Sequence, residues 1–175
     1  MNKQVLVTFA TKYGATAEIA EKIGDVLRQA GLTVDVLAAE SAPDPSNYEA
    51  VILGSGVYMG SWRKPAAKFL KTHEQALAQR PVWLFSSGPT GEGDPEELLK
   101  GWRLPGAQQA VADRIHPRDV AVFSGAIKEE KLNFFEKWIL KNVKAAVGDF
   151  RDWDGIASWA ASIANTLNEP VSAAR

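Results

Sequence analysis

Residues 11–16, Thr-Lys-Tyr-Gly-Ala-Thr, group two hydroxyls and a lysine around a glycine directly after a short apolar run. A loop that leads straight from a strand into a helix turns the unpaired backbone N–H groups of the helix start toward its mouth. With the helix dipole, those donors make an anion site without needing a cationic side chain. Thr11 and Thr16 add hydroxyl donors, Gly14 permits a tight turn, and Lys12 brings a charge that also suits water. The residues Lys12, Tyr13 and Ala15 complete a single turn of chain sized for a terminal phosphate.

A second cluster, Ser55-Gly56-Val57-Tyr58-Met59-Gly60, continues into Ser61 and Trp62. Tyr58 and Met59 between two glycines offer flat, polarizable surface for a ring system, with Tyr58 the more direct ring contact. Trp62 reads either as part of that surface or as a seal on the following helix. The third cluster is Ser87-Gly88-Pro89-Thr90-Gly91, whose small residues allow a backbone to approach a ligand closely. Asp94-Pro95-Glu96-Glu97 just beyond it reads as an ordinary helix start.

Other chemistries are excluded by composition. The 175 residues contain no Cys and two His, so thiolate catalysis, disulfides, thiolate metal clusters and a histidine-rich metal site fall away. Neither histidine is placed to serve a serine–histidine–acid arrangement, and no residue is nominated as nucleophile, general base or metal ligand. With 20 Lys+Arg against 21 Asp+Glu, nucleic-acid binding has no bulk electrostatic support. The phosphate-loop pattern GxxxxGK[ST] and the dinucleotide pattern GxGxxG are both absent. No apolar run reaches the ~20 residues of a membrane span, and the apolar stretch before Gly14 is short for a secretion signal; a cytoplasmic protein is the expectation.

The elements that must position these clusters alternate. Apolar runs at 4–10, 33–38, 50–55, 82–87 and 119–125 predict strands, and periodic patterns at 16–30, 63–78, 107–114 and 154–167 predict helices. Short connections imply parallel α/β layering. The 39–49 link, with Pro43 and Pro45, predicts no full helix. Two segments exceed this plan: 88–118 and 128–148. The latter predicts one helix with an apolar arc of Leu132, Phe135, Ile139 and Val143, beside Phe134, Trp138, Lys137, Lys141 and Lys144. That stripe suits an acidic substrate, together with Lys128 and Lys131, or an anionic lipid surface through 131–144. Packing on the body or on a second subunit, as in a homodimer, is its other reading.

Taken together these segments resemble the flavodoxin-like family, whose phosphate loop runs Ser/Thr-x-Thr-Gly-x-Thr. Tyr13 stands where that pattern has its middle Thr. The likeness runs nearest to the menaquinone-dependent protoporphyrinogen IX dehydrogenases and related flavodoxin-domain proteins. It is carried by TFATKYGATAEIA, ILGSGVYMGSWRKPAAKFL, FSGAIKEEKLNFFEKWILK and RDWDGIASWAASIA. The resemblance implies an α/β three-layer sandwich with a five-stranded parallel sheet in order 2-1-3-4-5; the residues themselves, with no repeat or linker, predict one domain over 1–168 with the two inserted segments and a flexible tail at 169–175. The resemblance also implies FMN held non-covalently, its phosphate over 11–16 and its ring between the 55–62 and 88–95 loops. The implied activity passes electrons from a reduced organic substrate, protoporphyrinogen IX being the most specific, to a quinone-like acceptor, with peripheral attachment at the inner face of the cell membrane as one setting. An electron-transfer flavodoxin and a non-catalytic domain that has lost FMN are the alternatives.

Overall fold

A computed structural model describes residues 3–143 and 146–170. Five parallel strands form the centre: β1 (Gln4–Ala10), β2 (Thr33–Ala38), β3 (Ala50–Tyr58), β5 (Val82–Ser87) and β6 (Asp119–Phe123). Their spatial order is β2-β1-β3-β5-β6, and a two-residue strand β4 (Ser61–Trp62) folds back antiparallel on β3. With that hairpin strand set aside, this is the expected 2-1-3-4-5 order. Register is continuous from Val5 beside Val34 on one flank and Ala50 on the other.

Strand side chains alternate between faces, and here both faces are buried. Val5 and Val7 join Ile52 and Phe85 under α1 (Ala15–Gln29) and α7 (Trp153–Asn168), where Ile19, Ile23, Leu27, Ile156 and Ile163 supply the facing surface. Leu6, Val51, Leu53 and Leu84 point to the other side, against α2 (Lys64–Thr72), α3 (Glu74–Ala78) and α5 (Gly106–Ile115). The result is three layers. Between β5 and α5 lies one short turn, α4 (Pro95–Leu98), started by Asp94, whose carboxylate accepts from the N–H groups of Glu96 and Glu97.

The strand expected over 119–125 ends at Phe123, and three larger differences bear on the site. The single helix at 63–78 is broken at His73, which ends α2 and begins α3. The strand expected to stop at Ser55 runs on to Tyr58, because Val57 and Tyr58 gain antiparallel partners in Trp62 and Ser61. Most consequentially, 128–148 is not one helix. It holds a 3-10 turn at Glu129–Lys131, then α6 (Phe134–Val143), and it is bracketed by β7 (Ala126–Ile127) pairing antiparallel with β8 (Gly148–Asp149). Asn133 starts α6 by accepting the N–H of Glu136, and the chain before it, at Leu132, is extended. Lys144 and residues 171–175 of the tail lie outside the described residues, as does the side chain of Val143. Among the described residues no helix is long and apolar enough to cross a membrane.

One strand position shows how tightly the layers close. A Cβ on Gly54 would fall 2.0–2.3 Å from the Phe85 ring, whose atoms are fully buried. Gly54→Ala is therefore expected to lose about 1–3 kcal/mol by overpacking, seen as a lower denaturant midpoint with an unchanged slope.

Candidate functional site

β1 leads into a helix on one face of the sheet and β3 into helices on the other, so the loops leaving their carboxyl ends diverge. Such a divergence leaves a crevice, the usual ligand position in open parallel sheets. A cleft of about 100 Å³ opens there. Its walls include Thr11, Lys12, Tyr13, Ala15, Thr16, Gly56, Val57, Tyr58, Ser87 and Gly88, all from the three clusters singled out in the sequence.

The first loop turns at Gly14, whose φ of 94° is left-handed and strained for any residue bearing a Cβ. Its N–H donates to Thr11 Oγ1 at 2.9 Å, which fixes the loop. α1 then starts without a side-chain cap. The amides of its first turn are left for whatever enters the cleft, and the buried Thr16 hydroxyl stands beside them, 3.0 Å from where a Cβ on Gly56 would sit. Gly14 contributes backbone geometry rather than cleft wall.

The other clusters divide. Ser55 is fully buried and structural: its hydroxyl donates to the Gly56 carbonyl and accepts the Arg63 N–H, both at 2.9 Å, tying β3 to the start of α2. Tyr58 faces the cleft, with the Lys12 ammonium 3.6 Å from its ring centre. Met59 and Gly60 have positive φ and form the exposed hairpin tip outside the cleft wall. Trp62 is buried, donating its indole N–H to Ser86 Oγ at 2.8 Å; it seals the body. Pro89, Thr90 and Gly91 do not line the cleft. At the start of this stretch a backbone bond runs from the Gly125 N–H to the Pro89 carbonyl, and Gly88 and Gly125 pack so closely that a Cβ on Gly125 would lie 2.9 Å from Gly88 Cα.

The remaining wall comes from the segment after β6: Gly125, Ala126, Ile127, Leu132, Glu136, Ile139 and Leu140, with Arg63 opposite. None of these was singled out as a ligand contact in the sequence. Asn133 followed by Glu136 is a helix-start signature that marks the true beginning of α6 and thereby its inward face. The inward residues are Glu136, Ile139 and Leu140. Phe135, expected in the apolar arc, is exposed and stacks on Trp138 at 6.2 Å between ring centres. Glu136 meets the Lys12 ammonium at 3.4 Å. Yet its Oε2 and the Tyr13 hydroxyl are buried without a hydrogen-bond partner, the Lys12 approach lying off the bonding direction.

Arg151 fastens this outer wall to the first turn of α1. Its side chain is 5% exposed, pairs with Asp149 at 2.7 Å and with Glu18, and donates to the Ala15 carbonyl. The hydrogen bond from Arg151 holds the Asp149 carboxyl below its ordinary value and raises the guanidinium above its own.

The fold and the cleft define a flavodoxin-type α/β protein. A family profile described as the flavodoxin domain matches residues 6–154, and the chain belongs to that family. It is 22% identical over 178 residues to the protoporphyrinogen IX dehydrogenase [quinone] of Escherichia coli strain K12, a match covering 95% of this chain and 98% of that one. Among solved structures, a flavodoxin from the domain Archaea superposes with a TM-score of 0.65 at 14% identity, covering 95% of this chain and 99% of that chain. The flavodoxin of Streptococcus pneumonia TIGR4 gives 0.58 at 18% identity, covering 93% and 99%.

The Arg151 fastening is pH-sensitive with a definite sign. A carboxyl whose folded value is depressed contributes stability above its unfolded value, near pH ~3.9, and loses it as pH falls through the folded value. Arg151→Met is expected to move the Asp149 titration midpoint upward toward the ordinary range, measured by carboxyl-carbon NMR.

Proposed function

We propose that this chain is an FMN-dependent oxidoreductase that passes electrons from a reduced organic substrate to a quinone-like acceptor, protoporphyrinogen IX being the substrate proposed. The observation that carries the reading is the uncapped start of α1 at the mouth of the sheet, beside the buried Thr16 hydroxyl. Unpaired amides and a hydroxyl on one turn of chain fit a terminal phosphate. FMN held there would supply two-electron redox chemistry between substrate and quinone, the protons released by the one matching those taken up by the other.

The chain's own residues bind, orient and shelter. Thr11, Lys12, Tyr13, Gly14, Ala15 and Thr16 would wrap the phosphate, and Gly56, Val57, Tyr58, Ser87 and Gly88 would lie along the ring. Leu132, Ile139 and Leu140 give the cleft an apolar outer wall, which would keep water from the reacting face. Such a wall supports an enzyme over a carrier that must present its cofactor edge to a protein partner. The specific substrate and acceptor rest on the curated relative named above.

Phe134, at 88% exposed, lies with Phe135 and Trp138 among Lys137 and Lys141 on the outer side of α6. Aromatic side chains beside lysines suit the headgroup region of an anionic bilayer, where a quinone acceptor is dissolved. Sedimentation with phosphatidylglycerol vesicles is expected for the wild type, with at least a severalfold loss in Phe134→Ser/Trp138→Ser and none with neutral vesicles. Concentration-dependent dimerisation lost in the same variant would instead make this face a subunit contact.

The cofactor and the reaction are tested in sequence. Purified protein is expected to bind FMN with quenching of flavin fluorescence, and Thr16→Val to weaken it by ~1–3 kcal/mol. Loaded protein is then expected to oxidise protoporphyrinogen IX anaerobically only when a quinone is supplied. Folded protein that takes up no FMN removes the redox reading, and FMN uptake without porphyrinogen turnover removes the substrate.

A further inference from the structure

The charges around the 11–16 loop are unequal in their commitments. Lys12 is engaged by Glu136 and by the Tyr58 ring. Arg151 is engaged by Asp149 and Glu18. Lys131, from the 3-10 turn after β7, reaches across the loop: its ammonium donates to the Tyr13 carbonyl at 2.9 Å and sits 3.6 Å from where a Cβ on Gly14 would be. Among the described residues no carboxylate lies within ion-pair distance of it. The ammonium therefore stands exposed over the loop's turn at Gly14, the residue that precedes the uncapped first turn of α1, and among the described residues it has no ion pair of its own.

We infer that Lys131 is the counter-charge for the cofactor's phosphate and makes the site select a phosphorylated flavin over the unphosphorylated one. This rests on the FMN reading above. An ammonium has three donors, and one is held by the Tyr13 carbonyl, which leaves the others for phosphate oxygens entering the loop. Tyr13 occupies the position at which the loop pattern carries a threonine hydroxyl, and its own hydroxyl is buried without a partner. Lys131 supplies a donor and a full positive charge to the same turn from outside the loop. A segment that encloses the cleft thereby also takes part in holding the phosphate, which couples the docking of 128–143 to cofactor retention.

The test compares FMN and riboflavin binding by fluorescence quenching in wild type, Lys131→Met and Lys131→Arg, over a range of salt concentrations. Lys131→Met is expected to weaken FMN about five- to tenfold, as fits one exposed cation against a dianion, to leave riboflavin within twofold, and to flatten the salt dependence of FMN binding. Lys131→Arg is expected to restore the preference. Equal weakening of both flavins would assign Lys131 to pinning the loop alone, and unchanged FMN binding would remove it from the site; either overturns the inference while the FMN reading stands. Wild-type protein that binds neither flavin overturns both. Thermal unfolding of each variant, expected near the wild-type midpoint, separates these results from misfolding.

Discussion

The site depends on a reversal in how the sheet is wound. α1 returns the chain from β1 to β2 across one face, whereas α2 and α3 carry it from β3 to β5 across the other. Neighbouring strands thus send their connections in opposite directions, and no side chain is required to hold the crevice open between them. Everything placed there inherits its position from backbone. Thr16 is fixed because α1 starts at Ala15, and Tyr58 because β3 runs on into the β4 hairpin. Substitutions in this frame act through packing first, as the contact between Gly54 and Phe85 shows.

The outer wall is a later addition to the same frame, held by different physics. Its two strands have two residues each and could not persist alone. They are kept in place by attachments at both ends: the Gly125–Pro89 backbone bond and the bond from Phe150 N–H to the Gly125 carbonyl at one, and Arg151 across to Glu18 and Ala15 at the other. The guanidinium is nearly buried while its carboxylate partners are about half exposed, so solvent and salt screen these pairs in part. Lys131 adds a third attachment over the loop. The wall is thus fastened by polar contacts to α1's first turn, the very turn that meets the cleft.

Much of the frame was legible because both faces of the sheet are covered, which makes each strand a continuous apolar run such as VLV or VILG. The 11–16 loop was legible because its chemistry is local: a glycine, two threonines and a strand–helix junction. The wall was not. Its inward face depends on where α6 starts, and reading 128–148 as one helix rotated Phe135 inward and left Glu136 and Leu140 unassigned. The Asn133–Glu136 cap carries that information, but a longer apolar periodicity overrode it. Pro89, Thr90 and Gly91 fall outside the cleft wall, and the long-range bond from Gly125 to Pro89 beside them is one that no local pattern announces. Lys131 illustrates the same limit: the sequence groups it with the lysines that suit an acidic substrate, and only the turn at Glu129–Lys131 aims it at Tyr13.

The polar atoms left without partners complete the physical picture. Among the described residues, three buried side-chain oxygens lack a hydrogen bond: those of Thr8, Tyr13 and Glu136. Thr8 sits within β1, but the other two belong to residues that line one cleft. An unmet buried donor or acceptor costs about 1–3 kcal/mol, and chance would scatter such losses. Around them Lys12 is held by a carboxylate and two aromatic rings, so the charge is offset while hydrogen bonds remain open. A protein selected for stability alone would fill these positions with apolar groups of similar shape. Keeping a tyrosine and a glutamate there runs against that gradient, and under the reading proposed above their open oxygens would be paired by the polar groups of a bound ligand.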